Sequence, residues 1–128
     1  MPIKWTISHA EKRVLIKTEG AVGLPDVEAY LDDLVTKGAM GYAKLFDASE
    51  ISPVASDHDV MMLGARMQAY ISTLKGGPLA FVVATPEARL IVERYINLAA
   101  GAERPVRVFK TAAEAAAWLD SLNEEGGL

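Results

Sequence analysis

Residues able to do chemistry are concentrated in one stretch of this 128-residue chain, from Lys44 to Gly64. It holds the carboxylates of Asp47, Asp57 and Asp59, the hydroxyls of Ser49 and Ser56, the imidazole of His58 and the thioethers of Met61 and Met62. Asp47, Asp57, His58 and Asp59 are ligand types for a hard divalent ion. Consecutive residues at a helix start fan out by about 100° each, so no more than two of 57 to 59 face one ion without Asp47. The spacing does not converge, and no metal or cofactor is expected. Ser56 and His58 could be read as nucleophile and base, but residues two apart on a helix do not face each other, and no orienting acid accompanies them. An enzyme is therefore not expected.

Ser56 has a structural and a functional reading. As a helix N-cap its hydroxyl accepts from a backbone N–H, with Asp59 three residues on, a local contribution of about 1 kcal/mol. As a phosphorylation site it would place a phosphate where unpaired N–H groups favour anions, although Asp57 and Asp59 would repel it. Met61, Met62 and Met67 lie at helical spacing and are expected to fill core, with one of Met61 and Met62 turned outward. An outward methionine could form part of a groove for a protein partner or for an apolar, lipid-like ligand.

The elements that position this stretch follow from periodicity. Ile3 to Ser8 and Arg13 to Glu19 read as strands joined by a loop of His9, Ala10, Glu11 and Lys12, an antiparallel hairpin. Pro25 with Asp26 and Glu28 opens a helix whose apolar stripe is Val27, Leu31, Leu34 and Val35, with Gly38 as its stop. Residues 42 to 47 form a short strand, and Val60, Leu63, Gly64, Met67, Ile71 and Leu74 mark a long helix ending at Lys75-Gly-Gly-Pro. The apolar run Leu79 to Ala84 is a central strand, and Thr85 and Pro86 open a helix with Ile91, Tyr95, Leu98 and Ala99 inward. Pro105 to Phe109 is the last strand. Thr111 and Glu114 form a capping box for a helix burying Ala115, Trp118, Leu119 and Leu122, followed by a frayed tail from residue 123. The order β-β-α-β-α-β-α-β-α predicts an α/β fold with a mixed, mostly parallel five-stranded sheet and four helices, in one domain spanning 1 to 128.

Composition limits the partners. Hydrophobic residues make up 51% of the chain, charged residues 23%, and the formal net charge is −4. The 13 basic residues are scattered, so nucleic acid is not an expected partner. No apolar run approaches the roughly 18 to 20 residues of a bilayer span. Cysteine is absent, which removes disulfides and thiolate chemistry, and the first residues lack signal-peptide character, so a cytoplasmic location is expected.

The element order, with Leu45-Phe-Asp-Ala-Ser-Glu-Ile51 followed by Val54-Ala-Ser-Asp57, resembles the STAS and SpoIIAA-like group of small domains, which includes the anti-sigma-factor antagonists. The resemblance covers nearly the whole chain and implies that group's fold. In the antagonists the helix-opening serine is a phosphorylation switch, and the matching position here is Ser56, with Asp47 at the strand-end aspartate. This sequence departs from the pattern with Ala55, Asp57 and His58 where the group has aspartate, serine and glycine, so the switch motif is degenerate. The resemblance implies a non-enzymatic regulatory or protein-binding domain that uses residues 47 to 59; the alternative is a binder of an apolar ligand held against the Met-rich helix. An edge left by the first hairpin would allow a homodimer.

Overall fold

The computed structural model describes residues 3–20, 22–51, 58, 61–62, 65, 77–98 and 106–126. Five strands, β1 (Ile3–Ser8), β2 (Arg13–Gly20), β3 (Ala43–Ile51), β4 (Leu79–Val82) and β5 (Val106–Phe109), form a single sheet in the spatial order β1-β2-β3-β4-β5. The β1–β2 pair is antiparallel and every later pair is parallel. Lys12, in the left-handed region at φ 53°, closes the hairpin loop.

Three helices are fully placed: α1 (Leu24–Thr36), α2 (Pro86–Leu98) and α3 (Ala112–Gly126). Of the long helix expected between residues 58 and 75, only His58, Met61, Met62 and Ala65 are described, and each is helical. Its remaining residues, including the capping positions Lys75 and Gly76, lie outside the described residues. Among the described residues no helix is long and apolar enough to cross a membrane.

Side-chain alternation along the strands separates two layers. On one face Ile3, Val14 and Ile16 meet Tyr30, Leu31 and Leu34 of α1. Phe46 continues that layer towards Phe81, which packs with Ala88 and Val92 of α2. The alternate residues Leu45, Ala80 and Val82 meet Ala115 and Leu119 of α3 on the opposite face. With strands added in consecutive order, α1 and α2 share one face, and among the described residues α3, with no further strand to connect, covers the other.

The ends of the helices follow their sequences closely. Asp26 Oδ2 accepts from the Gly23 backbone N–H at 3.0 Å before α1. At its other end the Ala39 N–H donates to Leu34 O at 2.8 Å and the Gly38 N–H to Val35 O at 3.2 Å, a Schellman motif that needs Gly38 at φ +69°. Thr85 Oγ1 accepts from the Ala88 N–H, and Thr111 Oγ1 from the Glu114 N–H.

Four expectations about these elements change. β3 runs to Ile51, beyond the predicted end at 47, because β2 continues to pair with it past Asp47. Among the described residues the face of α2 packed against the sheet is Ala88, Val92 and Ile96, with the expected Ile91 half-buried; the Tyr95 and Leu98 side chains and Ala99 lie outside the described residues. In α1 the stripe rotates towards Tyr30, whose ring meets Trp5 edge-on at 5.4 Å, and Val35 is left exposed. The last helix continues through Gly126, past the expected fraying point.

One ion-linked contact joins β1 to α1. The Trp5 indole N–H donates to Asp33 Oδ2 at 2.7 Å, and Lys37 Nζ donates to the same oxygen at 3.1 Å. The Trp5 hydrogen bond, then that of Lys37, hold the Asp33 carboxyl below the usual carboxylate range. Because the folded value is depressed, this contribution is complete above the ordinary value near ~4 and is lost as pH falls through the folded value. An Asp33→Asn variant should show a shallower loss of stability than the parent in urea titrations stepped downward from about pH 5. Gly77 presents a second constraint: a Cβ there would run into the backbone carbonyls of Gly41 and Tyr42. Gly77→Ala should cost roughly 2 to 4 kcal/mol by denaturant unfolding, more than Gly38→Ala at about 1 to 2, since the first meets backbone and the second only a conformational penalty.

Candidate functional site

The opening of the predicted site is a β-bulge. Lys17 is in register with Asp47, but Glu19 pairs with Glu50, so β3 spends one residue more than β2 between the two pairs. An extra strand residue leaves a backbone N–H without a ladder partner, and a side chain here supplies one. Asp47 Oδ1 accepts from the Ser49 N–H at 3.0 Å and from Ser49 Oγ at 2.6 Å. On the β2 side the fully buried Thr18 donates its hydroxyl to Asp47 O at 3.3 Å. Asp47 is therefore within the strand rather than at its end, and Asp47 and Ser49 are brought together by the bulge itself.

Charge around the bulge is arranged across the exposed surface. Lys17 Nζ lies 3.4 Å from Glu50 Oε2 and 3.9 Å from Glu19 Oε1, with all three side chains about half exposed. Pairs in such solvent contribute little stability. Their consequence is a rim of alternating charge beside Asp47.

Of the other predicted site residues, Ser56, Asp57 and Asp59 lie outside the described residues. His58 is helical and exposed. Met61 and Met62 are 63% and 48% exposed, which corrects the expectation that the pair fills core with only one side chain turned out. In α-helical residues positions 58, 61, 62 and 65 share one face, and all four are exposed, so this face is the solvent side. Among the described residues no group of three His, Cys, Asp or Glu is placed to hold a metal ion.

Sequence reasoning missed two polar groups that set the frame of this strand. Lys44 is only 3% exposed, with Nζ donating to Met40 O at 2.6 Å and Tyr42 O at 2.9 Å. Its own N–H donates to Pro78 O at 2.8 Å, and the Gly77 N–H to Met40 O at 3.3 Å, so the turn before β3 and the start of β4 are tied at one point. Beside it Tyr42 Oη lies 2.7 Å from His9 Nδ1, an exposed contact between the hairpin loop and the turn before β3. The alternation of Val14, Ile16 and Thr18 carried the signal for an inward threonine. Nothing in the run Ala43-Lys-Leu-Phe reveals that the lysine would be enclosed.

The bulge contacts have a measurable signature. Asp47→Ala removes the acceptor for two donors and should cost about 1 to 3 kcal/mol, and Thr18→Val should cost about 1 kcal/mol in thermal or urea unfolding. Because both substitutions act on one bulge, the double variant should fall short of the sum by about 0.5 kcal/mol or more. Strict additivity would show that the Asp47 side-chain contacts and the Thr18 hydrogen bond act independently.

No family model matches this sequence, and no curated protein matches it by sequence. Among solved structures it is similar to an uncharacterised protein of the DUF3478 family with a SpoIIAA-like fold from Shewanella loihica PV-4. The two superpose with a TM-score of 0.61 at 18% identity, over 91% of this chain and 93% of the other. At that identity the likeness speaks to architecture alone. This chain therefore has the SpoIIAA-like fold that its sequence resembles.

Proposed function

We propose that this chain is a non-enzymatic cytoplasmic regulatory domain that binds a partner protein through the face running from the β3 bulge to His58, Met61 and Met62. The observation that carries the reading is the exposure of the adjacent side chains Met61 and Met62. Adjacent, flexible thioether side chains in solvent form an adaptable apolar contact surface. The rim of Lys17, Glu19 and Glu50 would give such a contact orientation. Ser56 is the position at which the face would be switched, and the acidic neighbours Asp57 and Asp59 weaken that role by like-charge repulsion. A homodimer through the β1 edge is compatible with this use, since β2 lies between that edge and β3 in the sheet order.

Site-specific photo-crosslinking in cells tests the reading. A crosslinker at position 62 should give a discrete adduct that disappears in a Met61→Glu background, while one at Glu11, in the exposed hairpin loop at the other end of β2 from the bulge, should give none. Equal labelling at both positions would sink the proposal. The alternative occupant, an apolar small molecule, would instead appear as a fixed added mass in native mass spectrometry of freshly purified protein. Phosphate on Ser56 in cells, with loss of the adduct, would restore the switch; a Ser56→Ala variant that changes stability alone would remove it.

A further inference from the structure

We propose that His58, Met61 and Met62 form a binding site for a soft monovalent cation, Cu(I). The inference goes beyond the protein-binding reading and does not rest on it. The three residues occupy positions i, i+3 and i+4 in helical conformation, a spacing that sets Cβ atoms about 5 to 6 Å apart on one face. All three side chains are exposed, so none is held by core packing, and Ala65, one turn further along the same face, is exposed too.

The donor set selects the ion. Two thioethers and one imidazole are neutral, polarizable ligands, which suit Cu(I) and are poor partners for Mg(II) or Ca(II), whose preference is for oxygen. A trigonal arrangement is within reach because both methionines flank the histidine one turn away and carry three rotatable bonds each. The chain contains no cysteine, so no thiolate on it competes for a soft ion. Met40 is 6% exposed within the core formed with α1 and does not offer its sulfur to solvent. The set shares only His58 with the carboxylate cluster considered from sequence, and puts in place of its oxygens the two thioethers that are exposed along with that histidine.

The test is an anaerobic titration of the full chain with Cu(I) against bicinchoninate as competing chelator. The parent should withdraw a single equivalent. Met61→Leu with Met62→Leu, which keeps apolar size, and separately His58→Ala should each weaken retention by about 10-fold or more, the order seen when partners of a metal site are lost. Because all three side chains are exposed, the variants should keep the parent's circular dichroism. Failure of the parent to withdraw copper, or unchanged retention in the methionine double variant, would overturn the site.

Discussion

The structure depends on β3 being paired on both edges from Lys44 to Asp47 and covered on both faces there. Such a strand offers no water to a stranded polar group, so each one within it must find a partner from the protein. Phe46 and Ala48 serve the layer under α1 and α2, while Leu45 serves the layer under α3. The strand also carries a lysine and an aspartate, and the way these two are satisfied determines what happens at its ends.

At the start of β3 the Lys44 ammonium is satisfied by carbonyls of the turn that precedes it, so a charge that would be costly to bury becomes the tie between that turn and its own strand. The same turn accepts Gly77 at a distance that only glycine allows. Towards the other end Asp47 absorbs the spare donors of a bulge, which lets β3 lengthen by a residue against β2 without breaking the sheet. Bulges increase local twist and re-aim the chain.

The two faces of the sheet differ in what covers them. Consecutive strand order sends α1 and α2 to one side, and α3 returns to the other, where Trp118 and Phe109 stack at 5.6 Å and Arg107 lies over both rings. Arg13 reaches from β2 to Asp120 of α3 at 2.9 Å, holding the last helix across the sheet. The half of that face formed by β1 and β2 carries Lys4, Thr6, Leu15 and Lys17 in solvent, as antiparallel pairs with one wet face commonly do.

The sequence by itself determined the element order, the hairpin with its loop of residues 9 to 12, the helix caps at Gly38, Thr85 and Thr111, and the resemblance to the SpoIIAA-like fold. These are local properties: alternation, capping side chains and glycine at positive φ act within a few residues. It also singled out Asp47 and Ser49. Tertiary structure alone decided that Asp47 lies inside a strand, since a bulge exists only relative to the register of its neighbour. It decided that Ala88, Val92 and Ile96 of α2 meet the sheet, a choice that depends on the shape of the opposing layer. It enclosed Lys44, a residue type almost always exposed, because carbonyls from a turn distant from helix or strand periodicity converge on it. And it turned Met61 and Met62 outward together, because the direction of a helix face is fixed by what the helix packs against and not by the order of its residues.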